Sequence, residues 1–325
     1  MDSLQIGALG AARITPQALI RPARSVPEAA VVAVAARDRA RADAFATRHG
    51  VPVVHADYAA LVDDPALDAV YVPLPNSLHA EWTVRAIEAG KHVLCEKPFT
   101  ANAEEAQRVA DAAAASDRVV MEAFHYRYHP VVDRALDLLA AGTIGTVRRV
   151  EARMCFPLPR RGDIRFRADL AGGATMDAGC YALHCLRTLG PGEPTVVAAR
   201  ARLRASDVDR AMTALLRYPN GATGRMTCSL WSSDVLGVSC VVHGDAGRLR
   251  ITNYVAPQYW HRLSVRTATR RWHERVAGEA SYTHQLRAFT TAALHGGPVL
   301  TPASDAVRTM RLIDDVYRHA GLHPR

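Results

Sequence analysis

The segment His92-Val93-Leu94-Cys95-Glu96-Lys97-Pro98 decides how this chain is organised. Its first four residues form an apolar run that predicts a short buried strand, and Pro98 ends the run because proline cannot donate to a strand ladder. Only two of the 40 Lys and Arg residues are lysines, at positions 91 and 97. Lysine offers a compact ammonium whose pKa burial can lower, whereas arginine stays charged and planar. Lys97 is therefore a candidate for chemistry at a strand's carboxyl end, where open α/β sheets bind ligands. A solvated loop lysine is the alternative.

Length and composition restrict the possible classes of protein. A chain of 325 residues with 49% hydrophobic content can bury a large core and predicts two domains. It has no apolar run of about 20 residues and no basic-then-apolar leader, which predicts a soluble, cytoplasmic protein without a membrane partner. The net charge is +8, but the arginines are spread along the chain and are not interleaved with aromatics, so no nucleic-acid partner is predicted.

The cysteines and histidines predict no disulfide and no metal site. Six cysteines lie in apolar surroundings without C-x-x-C spacing, which predicts buried free thiols. Fourteen histidines are dispersed and form no His-Glu-x-x-His or comparable cluster.

The N-terminal segment has the layout of a dinucleotide-binding turn. The apolar run 4–9 leads into Gly10-Ala11-Ala12-Arg13-Ile14, and a helix is predicted over 16–24. In the G-x-G-x-x-G pattern Gly10 takes the first place, while Ala12 and Thr15 take the second and third. Taken alone, this incomplete glycine pattern is a weak signal.

A second apolar run over 29–36 ends at Arg37-Asp38, about 20 residues after the turn, where the residue that reads the ribose is expected. A guanidinium at Arg37 can face the 2′-phosphate of NADP, whereas an acid would favour NAD. Asp38 could fill that place if the register slips by one, or could cap the helix 39–49. The sequence favours NADP, with NAD possible.

Strands and helices alternate through the first 123 residues. Further strands are predicted at 53–54, 69–72, 92–95 and 119–121, and helices at 39–49, 58–62, 77–88 and 103–115, with Asn76 capping the helix 77–88. Repeated β-α units with short turns predict an α/β fold with a parallel, doubly wound Rossmann sheet. The predicted domains are 1–123 for dinucleotide binding, and 124–325 for substrate binding and oligomerisation.

The second half reads as an α+β domain. After a helix over 130–141 come predicted strands at 147–155, 195–204, 211–218, 221–230, 235–243 and 248–251, and the last two helices lie near 282–294 and 302–319. An arginine-rich loop, Arg160-Arg161-Gly162-Asp163-Ile164-Arg165-Phe166, follows the first of these strands. A large, mostly antiparallel sheet with helices on one side would leave its other face open.

A polar trio follows Gly172-Gly173. Asp177, Tyr181 and His184 stand at i, i+4 and i+7, on one face of a predicted helix. A phenol between a carboxylate and an imidazole suits proton transfer once neighbouring groups lower its pKa from about 10, and Lys97 of the other domain would be such a neighbour. The alternative is an amphipathic helix whose polar stripe faces solvent.

Four segments together point to a known family: Gly10-x-Ala12, Pro75-Asn76-x-x-His79, the segment from Ala89 to Pro98, and Met121-Glu122-Ala123-Phe124-x-Tyr126-Arg127-x-His129-Pro130. In these segments the chain resembles the Gfo/Idh/MocA oxidoreductase family, and the resemblance covers nearly its whole length. It is strongest to the branch with dihydrodiol dehydrogenases, NADP-dependent xylose dehydrogenases and nucleotide-sugar 3-ketoreductases. In that branch Tyr stands where the inositol dehydrogenases have His, and Tyr181 matches the Tyr form.

The resemblance implies hydride transfer between NADP(H) and a secondary alcohol, ketone or hemiacetal carbon of a sugar, sugar derivative or cyclic diol. Tyr181 would exchange the hydroxyl proton, Lys97 would stabilise the alkoxide, and Asp177 would orient substrate or Lys97. The expected cofactor residues are Gly10, Ala12, Arg13, Ile14, Arg37, Leu74, Pro75, Asn76, His79, Glu96 and Lys97. The expected substrate residues are Tyr126, Arg127, Arg165 and His184.

Two further expectations follow from the resemblance. A homodimer or homotetramer would form through the open sheet face. The alternative function is a non-catalytic dinucleotide-binding sensor, whose mark would be loss of the lysine or of the helix acid; both residues are present here.

Overall fold

The computed structural model of the chain describes residues 3–159, 162–205, 207–233 and 236–325. Arg160 and Arg161 of the predicted arginine-rich loop, and Val235, at which a strand is predicted to begin, lie outside these ranges. The chain forms two compact units. The first unit contains the residues up to Tyr128 together with Ala280–Val307, and the second contains His129–Glu279 together with Arg308–Arg325.

The first unit contains a six-stranded parallel sheet in the order β3-β2-β1-β4-β5-β6. This is the strand order of a doubly wound dinucleotide-binding fold. The strands are mostly apolar, because strands covered on both faces by helices bury both sets of side chains. Its strands are β1 (Leu4–Leu9), β2 (Ala29–Ala35), β3 (Val53–Val54), β4 (Ala69–Val72), β5 (His92–Cys95) and β6 (Val120–Glu122).

Helices connect these strands, as the alternating sequence pattern predicts. Three of them have side-chain caps from Asp38, Asp57 and Asn102. The five connecting helices are α1 (Arg21–Ala23), α2 (Arg39–His49), α3 (Tyr58–Val62), α4 (His79–Glu88) and α5 (Ala103–Ala114).

Two helices begin with a different type of turn from the predicted α-helical start. The helix predicted over 16–24 starts with a π-helical turn, Pro16–Ile20, before α1. The helix predicted over 77–88 with Asn76 as its cap starts as a 3₁₀ turn, Asn76–Leu78, and α4 begins at His79 without a side-chain cap. Asn76 is thus the first residue of the tighter turn.

A late segment of the chain completes the first unit. Helix α8 (Ser281–His295), numbered by its place along the chain, buries Tyr282, Leu286 and Phe289 in the same core as Leu4 and Ile6 of β1. The first unit is therefore not a continuous stretch of sequence. Compact units and functional domains need not coincide, so the division into domains 1–123 and 124–325 remains a prediction.

The second unit contains an eight-stranded sheet in the order β14-β13-β12-β11-β7-β10-β9-β8, with one parallel pair, β10 and β7. Its strands are β7 (Val147–Cys155), β8 (Thr195–Leu203), β9 (Asp209–Arg217), β10 (Thr223–Ser229), β11 (Gly237–Gly244), β12 (Gly247–Thr252), β13 (Arg262–Thr267) and β14 (Arg271–Glu274). Its other helices are α6 (Pro130–Ala140) and α7 (Cys180–Leu189), and α9 (Ala303–His319) begins in the first unit and ends in the second.

Helix α7 covers one face of this sheet, packing on β7, β10 and β11. Val150, Ala152, Met226 and Cys240 lie buried on the covered side, and the residues between them along the strands are more exposed. We call the opposite side of the sheet the open face. The predicted fold class is therefore confirmed. None of the helices in the described ranges is long and apolar enough to cross a membrane.

Candidate active site

The predicted cofactor residues lie at the carboxyl ends of neighbouring strands in the first unit. Gly10 follows β1, Arg37 follows β2, Leu74 and Pro75 follow β4, and Glu96-Lys97 follow β5. Because these strands are parallel and adjacent, their carboxyl ends share one edge of the sheet. The strand order reverses between β1 and β4, and open α/β sheets bind dinucleotides outside such a point.

The turn after β1 needs a glycine at its first position. Gly10 has φ of +108°, a region in which residues with a Cβ are strained, and its N–H donates to the carbonyl of Ala35 over 2.7 Å. An added Cβ would only make ordinary contact, 3.4 Å from Leu74. The backbone angle, rather than lack of space, therefore requires glycine here. After this turn Ala12 and Ile14 are half-buried and Arg13 is exposed.

The end of β2 presents two guanidinium groups. Asp38 caps α2 by accepting a hydrogen bond from the Arg41 N–H over 3.2 Å, which leaves Arg37 as the exposed residue in the ribose-reading position. Arg41 Nη2 also donates to the Ala11 carbonyl over 2.9 Å and so links α2 to the turn after β1. Two arginines near a glycine turn fit the 2′-phosphate of NADP. Sequence reasoning missed Arg41, although its place three residues after the cap was a usable signal.

His79 supports the loop that carries Lys97. The ring is buried, with Nδ1 2.8 Å from the Pro98 carbonyl oxygen and Nε2 2.8 Å from the Leu74 carbonyl oxygen. Burial lowers the pKa of His79, and the positive charge of Lys97 lowers it further. Both ring nitrogens contact backbone carbonyls, so the imidazole ties the loop after β4 to the loop after β5. Its role in binding the cofactor remains a prediction, and in the structure the ring supports the loops at the cofactor edge.

Glu96 is oriented by a residue that the sequence did not single out. Its Oε1 accepts a hydrogen bond of 2.8 Å from the Tyr71 hydroxyl, and its Oε2 accepts one of 3.3 Å from the Lys97 N–H. Tyr71 lies fully buried in β4, beside β5. The carboxylate is therefore held between two strand ends.

The two lysines differ in what surrounds them. Lys91 is 6% exposed, and its ammonium donates to the carbonyls of Asp64 and Leu67, each over 2.7 Å. These hydrogen bonds indicate that Lys91 stabilises the fold. Lys97 is half-buried at the end of β5, the position at which a ligand-facing ammonium is expected.

Two predicted substrate residues belong to the first unit. Tyr126 and Arg127 lie on a 3₁₀ turn, His125–Tyr128. Tyr126 is 1% exposed and contacts Phe124 edge to face, with ring centroids 6.2 Å apart, while Arg127 is half-buried. Their role in binding substrate remains a prediction.

In the second unit the polar trio lies on one continuous helical segment. Its first part, Thr175–Gly179, is a π-helical turn that leads directly into α7. Asp177 belongs to this turn, so the α-helical spacing holds only between Tyr181 and His184. Such π turns occur frequently at functional sites.

Burial excludes the solvent-stripe alternative for this helix. Tyr181 is 4% exposed and His184 is 3% exposed. The side chain of Asp177 is 15% exposed. The trio is therefore enclosed.

The structure brings two predicted site residues together as an ion pair. Arg165 Nε lies 2.8 Å from Asp177 Oδ2, and Arg165 Nη1 lies 3.1 Å from Oδ1 of buried Asp163. The charge of Asp177 raises the pKa of the Arg165 guanidinium. Arg165 thus fixes the carboxylate, an interaction that its predicted role in lining a sugar pocket did not include.

A buried carboxylate that sequence reasoning missed holds the start of this helix. Asp209 Oδ2 accepts hydrogen bonds from the N–H and the hydroxyl of Thr175, each over 2.7 Å. Its Oδ1 accepts from the Tyr317 hydroxyl over 3.0 Å and from Arg325 Nη2 over 3.2 Å. Asp209 is fully buried. A Cβ on Gly173 would lie 2.2 Å from Asp209 Oδ1, so that glycine is needed for the approach.

Comparison with known proteins identifies the family. The model of the oxidoreductase family with an NAD-binding Rossmann fold matches residues 4–124, and that of the GFO/IDH/MocA C-terminal domain matches residues 132–250. The chain belongs to the Gfo/Idh/MocA family. The predicted resemblance is confirmed, and this family member is an NAD(P)-dependent oxidoreductase.

Named relatives match from about two thirds to nearly all of the chain. D-xylose 1-dehydrogenase (NADP(+)) 2 of Haloferax volcanii is 38% identical over 320 residues, covering 98% of this chain and 97% of that protein. The trans-1,2-dihydrobenzene-1,2-diol dehydrogenase of Mus musculus is 34% identical over 231 residues, covering 70% and 68%. The crystal structure of KijD10, a 3-ketoreductase from Actinomadura kijaniata in complex with NADP and TDP-benzene, superposes with a TM-score of 0.91 at 31% identity, covering 98% of each chain.

No group of three or more His, Cys, Asp or Glu side chains is arranged to hold a metal ion within the parts of this family member that the structure describes.

Replacing Asp209 with Asn should destabilise the second unit. The amide keeps the size but leaves the Arg325 guanidinium, 6% exposed, without its buried anion, and breaking a buried ion pair costs roughly 3–5 kcal/mol. Urea unfolding measures the change. Asp43→Asn is the control, because the Arg39–Asp43 pair is exposed at i,i+4 and contributes about 0.5 kcal/mol or less. Equal losses in the two variants would contradict the role given to Asp209.

Proposed function

We propose that this protein transfers hydride between NADP(H) and a CH–OH carbon of a sugar, sugar derivative or cyclic diol. The observation that carries the proposal is the gathering of Gly10, Arg37 and the Glu96-Lys97 pair at neighbouring strand ends of one parallel sheet. The named activities of the xylose dehydrogenase, the dihydrodiol dehydrogenase and the 3-ketoreductase support the substrate class.

The nicotinamide cofactor supplies the hydride chemistry, and the protein supplies position and charge. The turn Gly10–Ile14 would let a pyrophosphate approach the backbone, and the Arg37 and Arg41 guanidinium groups would bind the 2′-phosphate. Leu74 and Pro75 border the same edge of the sheet. His79 and Glu96 keep the two loops at that edge in place.

The chemical roles fall to three side chains. Tyr181 accepts the substrate hydroxyl proton in oxidation and returns it in reduction, because a phenol can act as either base or acid. The Lys97 ammonium stabilises negative charge on the substrate oxygen. Asp177, oriented by Arg165, accepts hydrogen bonds from neighbouring substrate hydroxyls, and His184 extends the enclosed polar surface of α7.

A panel of substrates tests the proposal directly. Purified protein is mixed with NADP⁺ or NAD⁺ and with each of a series of aldoses, inositols and cyclic diols, and the reduced-nicotinamide absorbance is followed. We expect turnover with an aldose or diol and a preference for NADP⁺. Reduction of keto-sugars by NADPH is measured in parallel. Lack of turnover in both directions with every sugar and diol would refute the proposal.

Replacing Arg37 with Ala should weaken NADP use selectively. One guanidinium contact to a phosphate is worth about 1.5–3 kcal/mol, which corresponds to a rise of roughly 10- to 150-fold in KM for NADP⁺. The KM for NAD⁺ should change little, because NAD lacks the 2′-phosphate. Arg39→Ala, which removes an exposed arginine of the same helix start paired with Asp43, should leave both values unchanged. An equal rise in both KM values for Arg37→Ala would contradict the assignment.

Assembly and location complete the proposal. A homodimer or homotetramer would form through the open face of the second unit. A cytoplasmic location agrees with six buried cysteines that form no disulfide, the state that a reducing compartment preserves.

A further inference from the structure

The open face carries a cross-strand row of arginines. Strand register places Arg248 of β12 opposite Arg266 of β13, and Arg266 opposite Arg271 of β14. In the other direction Arg248 lies opposite His243 of β11, which lies opposite Arg149 of β7. Like charges directly opposite each other in a sheet are destabilising. The row therefore needs a counter-charge.

The two rows beside it are also basic. Arg250 of β12 lies opposite Ser264 of β13, and Arg262 of β13 lies opposite Thr252 of β12. Followed across the strands, the three rows contain a single carboxylate, Glu151, which pairs with Arg149. The same rows contain ten arginines: 149, 153, 200, 217, 225, 248, 250, 262, 266 and 271.

Five of these arginines surround one depression of about 200 Å³. Within the described ranges, none of the five takes part in an ion pair. A second depression, of about 440 Å³, shares Arg250 with the first. The first is lined by Arg248, Arg250, Arg262, Arg266 and Arg271, with the hydroxyls of Thr252 and Ser264.

We propose that the depression around Arg250 binds a free multivalent oxyanion of the phosphate class, such as orthophosphate or pyrophosphate. Guanidinium groups match phosphate oxygens with paired N–H donors, and the Thr252 and Ser264 hydroxyls add donors at the same place. Several arginines converge here without a carboxylate among the lining residues, so a multivalent anion gains more than chloride does. The small volume suits one such anion.

Anion binding would also promote the pairing of two copies. This second part of the proposal rests on the proposed function, in which two copies pair through the open face. A two-fold interface brings the same patch of each copy together. Without anions the arginine rows of one copy would meet those of the other. An oxyanion in each depression offsets this repulsion, so pairing depends on the anion.

Calorimetric titration with pyrophosphate tests the site. The protein is dialysed into chloride buffer and titrated at constant ionic strength, with Arg250→Gln and Arg266→Gln as test variants. Arg200→Gln is the matched control, because Arg200 of β8 lies on the same face but outside the depression. We expect saturable binding by the unaltered protein and the control, and binding weaker by about tenfold or more in both test variants.

Two results would overturn the site: no saturable binding, or equal weakening in the control, which would mean a general attraction of the basic face. Sedimentation velocity under the same conditions tests assembly, with a larger species expected in pyrophosphate but not in matched chloride. A stable dimer in chloride that is dissociated by Arg250→Gln would show that a second copy occupies the face instead. Saturable binding without any change in sedimentation would keep the site and refute only the dependence of pairing on the anion.

Discussion

Replacing Lys97 with Met should lower kcat by about 10²–10³-fold while NADP binding persists. Removing a charged donor from the reacting oxygen removes stabilisation that is needed mainly in the transition state. Methionine keeps the apolar length of the side chain, so the loop held by His79 should stay in place. Steady-state kinetics measure kcat, and quenching of tryptophan fluorescence by NADPH measures cofactor affinity.

The chain offers a matched control in its only other lysine. Lys91→Met removes an ammonium that is bonded to two backbone carbonyls, so it should lower the free energy of unfolding by roughly 2–4 kcal/mol and leave the kcat of the folded enzyme near normal. Lys97→Met should lower kcat and leave the free energy of unfolding nearly unchanged. If Lys97→Met retains more than about a tenth of kcat on the best substrate of the panel, the role given to Lys97 is wrong.

Tyr181→Phe should also cost about 10²–10⁴ in kcat, since it removes the group that exchanges the proton and leaves the ring that fills the space. Cofactor affinity should not change. The pH profile of the residual activity should lose the limb that reports this acid or base.

Tyr218→Phe provides the control for Tyr181. Tyr218 is a buried tyrosine of the second unit whose hydroxyl donates to the Leu186 carbonyl over 3.0 Å. Its loss should cost about 1 kcal/mol of stability and leave the pH profile of kcat intact. A pH profile for Tyr181→Phe identical to that of the unaltered enzyme would exclude its role in proton transfer.

Combining the two catalytic substitutions adds a further check. If Lys97 and Tyr181 act on one chemical step, the double variant should be little slower than the slower single variant, because effects of residues that act as a unit are not additive. If the factor by which kcat falls in the double variant equals the product of the two single-variant factors, the two residues have independent roles.

The sequence predicted the first unit closely, and there is a physical reason. The bounds of α3, β4 and β5 agree to the residue, because buried parallel strands appear as apolar runs and α3 starts after its capping residue Asp57. The strand-end position of Lys97 followed from that pattern alone. The π turns before α1 and α7 could not be predicted in this way, because the residue types that form π turns also form α-helices.

The sequence-based prediction mainly omitted polar interactions between residues that lie far apart in the sequence. Asp209 contacts Thr175, Tyr317 and Arg325, and no local pattern marks a carboxylate whose partners lie so far along the chain. The Tyr71–Glu96 bond was missed for the same reason. Strands β13 and β14 were also absent from the prediction. The alternation of polar and apolar residues in β13 was a usable signal, whereas the four residues of β14 include one apolar side chain, Trp272, too few to show a pattern.

The return of Ala280–Val307 to the first unit has a consequence for biosynthesis. At 5–20 residues per second, a ribosome that has finished Tyr128 makes the last of the returning segment roughly 10–35 s later. Until then the nascent sheet lacks Leu286 and Phe289, so its apolar side stays uncovered while His129–Glu279 of the second unit is translated. We therefore expect nascent chains stalled before residue 280 to engage chaperones through the uncovered surface of β1.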